Sequence, residues 1–241
     1  MFFLISYMDY KEDQNHKIIS LFATDDPQNI ELAFQLCVGL QANYSPAVAD
    51  HLRKHVFLCL RYGLEKEYTK NLYDLLITNR NLTTLPPEIG QLVSLNSLSL
   101  GYNYLEKLPK EIGKLTELKA LWVNNTRIQE IPAEIGQLSQ LQELTMYENQ
   151  IHHLPVEIGQ LRQLKVLSIH HNRLTSIPVE IGQLSNLHRL FLNDNQLTAL
   201  PTSIQRLTQL KLLRLRNNAI PKEETAKIKT WLPHCEIELD E

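Results

Sequence analysis

The chain has 241 residues, of which 43% are hydrophobic and 21% charged, and this composition excludes an intrinsically disordered protein. Lysine and arginine number 24 against 27 aspartates and glutamates, so the net charge of −3 supplies no basic excess for nucleic acid or an anionic membrane surface. The three cysteines, Cys37, Cys59 and Cys235, are too far apart for a disulfide framework or a zinc knuckle, so we expect a reduced, cytoplasmic protein.

A short apolar segment, Met1–Met8, opens the chain. No basic residue precedes it, no small-residue cleavage site follows it and Asp9 ends it early, so we expect no signal peptide. Met8 is an alternative start, which would make residues 1–7 an upstream extension, and a buried first turn of helix is equally consistent with this segment. Nowhere do 18 apolar residues run without interruption, so no transmembrane helix is predicted.

Residues 1–71 contain no repeat and predict helices. Asp26-Pro27 and Ser45-Pro46 are typical helix starts, because Asp and Ser cap the first turn and proline fits its first position. Apolar residues follow at helical spacing, namely Ile30, Ala33, Phe34, Cys37 and Val38 in one helix and Val48, Leu52, Val56 and Leu60 in the other. We expect this region to form an N-terminal helical cap.

Residues 72–220 consist of seven units with a 23-residue period, the last of which breaks off early. The high leucine content, 44 residues of 241, is typical of such a repeat. The unit pattern is L-x-x-L-x-L-x-x-N-x-L-x-x-L-P-x-E-I-G-x-L-x-x, without insertion between units. The units start at Leu72, Leu95, Leu118, Leu141, Leu164, Leu187 and Leu210. Unbroken register of this kind predicts identical units stacked on one another.

Each unit predicts a short strand and a short return segment. Residues 164–169 alternate apolar and variable positions, as in a strand with one buried face. Because all units run the same way, the strands must be parallel. The return segment predicts one helical turn, with Pro155 at its first position, Glu157 near its positive end and Gly159 as a left-handed stop. The predicted fold is an α/β right-handed solenoid, a horseshoe with a parallel sheet on its concave face and short 3-10 or helical turns on its convex side.

An asparagine column marks the point where each strand turns toward the return segment. Its members are Asn103, Asn149, Asn172, Asn195 and Asn218. An amide at this point can bond backbone groups of its own and adjacent units, so we expect a structural ladder. Arg80 and Thr126 interrupt the column, and the ladder should be weaker or hydrated there.

The 23-residue unit with its LPxEIGxL segment resembles the leucine-rich repeat of the intracellular Ras-group kind, which is abundant in bacterial proteins. The resemblance implies a protein-binding horseshoe with no catalytic residue, and a small GTPase or its regulator is a conceivable partner by analogy alone. Ser203 and Gln205 replace the usual Glu and Gly in the sixth unit. The seventh unit breaks off at Ile220-Pro221, so the array closes there.

Residues 221–241 predict a C-terminal cap, because a solenoid exposes its core at both ends. Residues 222–231 have helical composition. Residues 235–239 alternate apolar and charged side chains like a last strand.

The candidate binding surface comes from the third, fifth, seventh and eighth positions of each unit, which point away from the core. Five consecutive units supply an aromatic band across the concave face, made of Tyr102, Trp122, Tyr147, His170 and Phe191. Polar residues of the same columns complete the predicted surface, namely Asn124, Glu148, Arg189, Asp194, Arg214 and Arg216. Exposed Trp, Tyr and Arg are frequent interface hot spots. The alternative is that these are the isolated exposed aromatics found on any protein surface.

Metal binding and catalysis find little support in the sequence. The pairs His152-His153 and His170-His171 have no cysteine nearby, and His51 and His55 have ligand-like spacing without a third ligand, so we expect no metal and no cofactor. Cys59 with His51 or His55 is the only imaginable nucleophile and base, but flanking leucines predict a packed thiol. No phosphate-binding glycine loop occurs. We therefore expect no enzyme.

Two functions remain. The first is a monomeric intracellular binding module or scaffold that holds a protein or peptide on the concave face, in signalling or complex assembly. The second is an exported or host-directed effector or adhesin that binds a foreign protein with the same horseshoe, and it requires an export signal that the sequence does not show. Fold alone does not name the partner.

Overall fold

The computed structural model describes the backbone of residues 2–240 and the side chains of residues 12–240. The apolar opening Met1–Met8, on which the signal-peptide and start-site expectations rest, has its side chains outside the described residues. The chain divides into two compact units, a helical unit, Met1–Leu72, and a repeat unit, Tyr73–Glu241. Within the described part of the chain, no helix combines the length and apolar character needed to cross a membrane.

The helical unit confirms both predicted helix starts. Asp26 Oδ1 accepts the backbone N–H of Gln28 at 2.7 Å, and Ser45 Oγ accepts that of Val48 at 3.3 Å, so each side chain satisfies a free donor of the first turn. The described helices are α1 (Phe2–Phe22), α2 (Pro27–Gly39), α3 (Pro46–Arg53), α4 (Val56–Tyr62) and α5 (Lys66–Lys70).

The expectation of one continuous helix from Ser45 through Leu60 is wrong. α3 ends at Arg53, and His55, with φ −117° and ψ 60°, separates it from α4. The break resets the helical phase, so Cys59 is fully buried whereas Leu60 is only half-buried. Local propensity gave no warning of this break, because neither proline nor glycine stands at it.

The core of the helical unit is built around Phe34, which is fully buried. Its ring meets Phe22 edge-on, with the ring centroids 5.9 Å apart. The other core residues are Ile18, Ile30, Ala33, Cys37, Val48, Leu52, Cys59 and Leu64. Val38, predicted on the apolar face of α2, is 43% exposed and lies outside this core.

The repeat unit contains one open sheet of eight parallel strands in sequence order. The strands are β1 (Asp74–Leu76), β2 (Ser97–Ser99), β3 (Ala120–Trp122), β4 (Glu143–Thr145), β5 (Val166–Ser168), β6 (Arg189–Phe191), β7 (Leu212–Arg214) and β8 (Glu236–Glu238). Leu144 pairs with Leu167, and this 23-residue offset holds from β1 to β7. The predicted parallel register is therefore confirmed, although each strand is only three residues long.

Short 3-10 turns return the chain, which confirms the horseshoe. In the described residues they are Pro87–Gln91, Lys110–Lys114, Ala133–Gln137, Val156–Gln160, Val179–Gln183 and Thr202–Arg206. Pro155 precedes its turn in an extended conformation, φ −67° and ψ 149°, so its predicted place at the first turn position is wrong by one residue. Its missing N–H is still harmless there, because the turn needs no donor from that position.

Glycine is the next-to-last residue of the first five turns for a reason other than the predicted left-handed stop. Gly63, in the helical unit, is the one described glycine with a positive φ. A Cβ on Gly159 would lie 2.6 Å from the carbonyl oxygen of Glu180 in the next turn, so glycine is required for the close stacking of successive turns. Gln205 is tolerated in the last 3-10 turn because an α-helix, rather than another such turn, follows it.

The residues after the seventh repeat form the predicted helix, α6 (Lys222–Trp231), and the predicted strand, β8. α6 contacts the last 3-10 turn, and its Ile228 is fully buried. β8 pairs in parallel with β7, with Leu213 opposite Ile237. This helix and strand bring the array to its end.

The asparagine ladder is confirmed, and each asparagine bonds the preceding repeat as well as its own. Asn149 accepts the N–H of Ile128 at 3.1 Å and donates to the carbonyls of Val123 at 2.7 Å and Met146 at 3.1 Å. Thr126 instead donates its hydroxyl to Asn149. Arg80 belongs to the first repeat, which has no earlier repeat to bond.

Candidate functional site

The aromatic band occupies two levels of the concave face. Trp122 and Phe191 lie at the fifth position of their repeats, at the ends of β3 and β6, and both are half-buried. Tyr147 and His170 lie at the seventh position and are also half-buried, whereas Tyr102, at the eighth, is 60% exposed. The rings therefore form a partly packed surface rather than a set of isolated exposed side chains.

Tyr147 and His170 form the centre of this band. Their rings are stacked, with centroids 4.6 Å apart and an interplanar angle of 15°. Burial raises the pKa of Tyr147, and Tyr102 and Glu148 raise this pKa further. Burial also lowers the pKa of His170, and the adjacent His171 adds to the effect, so a neutral imidazole is favoured.

Hydroxyl groups form a floor between the two fifth-position rings. Strand register places Trp122, Thr145, Ser168 and Phe191 side by side in one row across β3–β6. Ser168 Oγ lies 2.9 Å from His170 Nδ1. Thr145 is only 8% exposed, and its buried Oγ1 has no hydrogen-bond partner in the described part of the chain. An unpaired buried hydroxyl costs about 1–3 kcal/mol.

Trp122 is held by a residue outside the predicted site. Its indole Nε1 donates to Glu143 Oε1 at 2.9 Å. Glu143 lies at the third position of the next repeat, on the adjacent strand β4. Periodicity places these two residues in neighbouring columns, but a pairing of specific side chains across repeats is not visible in a sequence pattern.

The predicted charged residues at the far end of the sheet are mostly paired. Arg214 lies over the ring of Phe191 at 5.2 Å and donates to Glu238 Oε1 at 2.9 Å, and Arg216 lies 3.9 Å from the same carboxylate. Glu238, on β8, was absent from the predicted site. Arg189, in contrast, is exposed and has no ion pair or hydrogen bond from its side chain within residues 12–240.

Asp194 is bound by neighbours on the same edge. It accepts from Asn217 Nδ2 at 2.7 Å and Asn193 Nδ2 at 2.6 Å, and His171 Nε2 lies 3.4 Å away. Burial by itself would raise the pKa of Asp194, but these hydrogen bonds and His171 lower the pKa below its ordinary value. Asp194 is therefore an ionised residue that also organises the sheet edge.

The eighth position is a turn and not a continuation of the strand. Its residues share left-handed backbone angles, with φ between 52° and 57°, at Asn79, Tyr102, Asn125, Glu148, His171, Asp194 and Asn217. Asn and Asp tolerate this conformation, whereas Tyr102 and Glu148 each cost on the order of 1 kcal/mol there. The Asn and Asp content of the column was the signal that could have revealed the turn.

The remaining candidates are structural. Asn124 Oδ1 accepts the N–H of Tyr147 at 3.2 Å, so this side chain bridges two repeats. Cys59 Sγ donates to the carbonyl of Leu52 at 3.1 Å, and burial raises the pKa of its thiol to about 12. The rings of His51 and His55 stack on Phe22 at 5.5 and 5.8 Å. Cys59 is therefore a packed thiol, as predicted.

His, Cys, Asp and Glu are the side chains that bind metal ions. Residues 12–240 contain no group of three such side chains close enough to hold one. The His170-His171 pair meets edge to face at 5.3 Å, and its further contacts are with Tyr147, Ser168 and Asp194.

Overlapping matches to a family model described as a leucine-rich repeat region cover residues 67–148, 110–175 and 157–230. The chain belongs to the leucine-rich repeat family. Among solved structures, a leucine-rich repeat protein of Leptospira interrogans is 38% identical, with a TM-score of 0.58, and the match covers 73% of this chain and 51% of that one. An internalin of Listeria monocytogenes, InlF, is 25% identical over 77% of this chain and 50% of that one, with a TM-score of 0.62.

A second Listeria monocytogenes protein, internalin C2, is 24% identical, with a TM-score of 0.61. The match covers 72% of this chain and 74% of that one, and it supports the fold. This leucine-rich repeat chain spans about half the length of the first two relatives. No curated protein matches the sequence. The repeats and their bacterial relatives identify a protein-interaction module, a class that is generally non-catalytic.

Proposed function

We propose that this leucine-rich repeat protein binds an extended segment of a protein or peptide on its concave face, with the aromatic band as the main contact. The observation that carries the proposal is the row Trp122, Thr145, Ser168 and Phe191, in which two rings flank a floor of hydroxyl groups. A ligand segment that lies across this row would bury apolar area against both rings.

The backbone of the band adds support. Tyr102 and Glu148 adopt left-handed angles that asparagine adopts at equivalent positions of the same array. Because these two residues are less stable than asparagine in this backbone conformation, their presence indicates a role other than folding. As the sequence predicts, we propose a monomeric scaffold in intracellular signalling or complex assembly, and its three free cysteines support a reducing compartment.

The test compares two double variants in affinity capture from native lysate, followed by titration of the captured protein. Trp122→Ala/Tyr147→Ala should lose the partner and about 1–3 kcal/mol of binding free energy, with a nearly unchanged thermal midpoint. The control, Val156→Ala/Val179→Ala, removes exposed apolar side chains from the convex 3-10 turns and should bind like the wild type. Equal retention of every captured protein by both variants would refute the aromatic band as the binding site.

A further inference from the structure

A pocket of about 530 Å³ lies beside the aromatic band, where strands β5, β6 and β7 begin. Three of its seven lining residues are cationic, namely Lys165, Arg189 and Lys211, although most of the lining surface is apolar, and His188 lies between them. Val166 and Leu212 supply its aliphatic part. The aromatic band and this basic pocket use different positions of the same repeats.

Strand register fixes how closely the cations approach one another. Val166, Arg189 and Leu212 are opposite each other on β5, β6 and β7. Lys165 and Lys211 each lie one residue earlier, and with strands about 4.8 Å apart they are separated by about 10 Å at the backbone. Three cationic residues therefore arise from backbone positions within about 10 Å of one another, a span that one short peptide segment can cover.

The basic pocket has little compensating charge. Glu236, on β8, is the one carboxylate in its lining. Lys165 Nζ donates to the neutral Gln142 Oε1 at 2.9 Å, and the side chains of Arg189 and Lys211 have no hydrogen bond or ion pair within residues 12–240. The lining thus has an excess of two positive charges, three minus one, in a protein whose net charge is −3.

The two arginines further along β7 and in the turn after it differ from the cations of the basic pocket. Arg214 and Arg216 share the carboxylate of Glu238 at 2.9 and 3.9 Å. The last strand therefore supplies one carboxylate to each cationic cluster, and in the basic pocket Glu236 leaves two of the three positive charges uncompensated. Uncompensated like charges at this spacing repel one another, and an anionic ligand would relieve that repulsion.

We propose that the basic pocket receives an acidic segment of the same protein partner, with carboxylates bound by Lys165, Arg189 and Lys211 and the methylene groups of glutamate lying on Val166 and Leu212. This inference rests on the proposed function. Phe191 of the aromatic band follows Arg189 of the pocket by two residues, about 7 Å along the strand, so one bound segment reaches both sites. The aliphatic lining and Glu236 favour a carboxylate side chain over phosphate, which carries more charge and no apolar stem.

The experiment measures the anisotropy of a fluorescein-labelled oligoglutamate peptide at low salt, with oligoglutamine as the neutral probe. Wild type should prefer oligoglutamate, and Arg189→Gln/Lys211→Gln should weaken its binding about tenfold, because two of the three cations that pair with its carboxylates are removed. The control Lys110→Gln/Arg173→Gln removes the same charge from exposed residues outside the pocket and should weaken binding less than about twofold.

Three results would overturn the proposal: equal weakening by the two double variants, equal binding of the two probes, or displacement of oligoglutamate by inorganic phosphate but not by acetate at the same ionic strength. The last would assign the pocket to phosphate. None of these three results tests whether the aromatic band binds the partner. That test uses Trp122→Ala/Tyr147→Ala, which leaves the basic pocket intact. Loss of the captured partner by that variant, with no pocket-dependent peptide binding, would retain the proposed function and reject only this inference.

Discussion

The helical unit and the repeat unit reach their core packing in different ways. In the repeat unit a leucine such as Leu144 has an equivalent, Leu167, one strand away, and both are fully buried. In the helical unit Phe34 packs against Phe22, a contact that belongs to no repeating unit. Repetition makes one packing solution serve many positions, whereas the helical unit requires a separate solution for each residue.

The two units also end their elements differently. Asp26 and Ser45 start helices through hydrogen bonds within three residues, and Gly63 ends α4 in a left-handed conformation. Gly159, the next-to-last residue of its turn, is required because a Cβ there would overlap the carbonyl oxygen of Glu180, 21 residues later. Boundaries are local in the helical unit and depend on the next repeat in the repeat unit.

The largest expected effect tests whether equivalent core positions in neighbouring repeats contribute equally to the free energy of unfolding. Leu144→Ala and Leu167→Ala should each lower the free energy of unfolding by about 2–5 kcal/mol, because each leaves a cavity in a shared core layer. The two losses should agree within about 0.5 kcal/mol. Both tryptophans, Trp122 and Trp231, lie in the repeat unit, so denaturant unfolding followed by tryptophan fluorescence reports on it.

A matched control for these variants is Leu76→Ala, which truncates a mostly exposed leucine of β1 and should change stability by less than about 0.5 kcal/mol. A wild-type transition for Leu144→Ala would contradict the register of the core. Losses that differ by more than about 1 kcal/mol would show that the repeats are not energetically interchangeable.

A glycine pair separates the two kinds of boundary. Gly159→Ala should cost about 1–3 kcal/mol, because its Cβ would overlap the next turn. Gly39→Ala should stabilise the helical unit by about 0.5–1 kcal/mol, since a Cβ there meets nothing within 4 Å and alanine favours the helix. Tryptophan fluorescence measures the first change and far-ultraviolet ellipticity the second, and destabilisation by both variants would contradict the contrast.

The smallest expected effect concerns pH and the helical unit. Burial lowers the pKa of His55 below 6.5, with Lys54 and His51 acting in the same direction and Asp25 opposing them. As pH falls below about 6.5 the unfolded chain binds a proton more readily than the folded one, so stability decreases. His55→Phe keeps a ring against Phe22 and should reduce this decrease, measured by ellipticity in urea titrations at neutral pH and about pH 5.

A control at an exposed histidine keeps this result specific. His16 lies on the exposed face of α1, outside the stack on Phe22, and His16→Gln is the matched histidine variant for comparison. An unchanged pH dependence in His55→Phe would assign the acid sensitivity to other groups.

The candidate site was only partly predictable. The strand pattern correctly put Trp122, Tyr147 and Phe191 on the concave face, because side-chain alternation follows from period two. It did not predict that Glu143 holds the indole of Trp122 or that Thr145 is buried without a partner. Those facts depend on rotamers and on neighbouring side chains, which a column of residues does not specify.

Periodicity in the sequence was sufficient for the parallel strands, the 23-residue register and the asparagine ladder, because a repeat has to bury the same positions against its neighbours each time. The break at His55 and the separation of paired Arg214 from Arg189, which has no side-chain partner within residues 12–240, emerged only in three dimensions. Each depends on contacts between residues distant in the chain, or on a backbone angle that those contacts impose. Local propensity carries no record of such contacts.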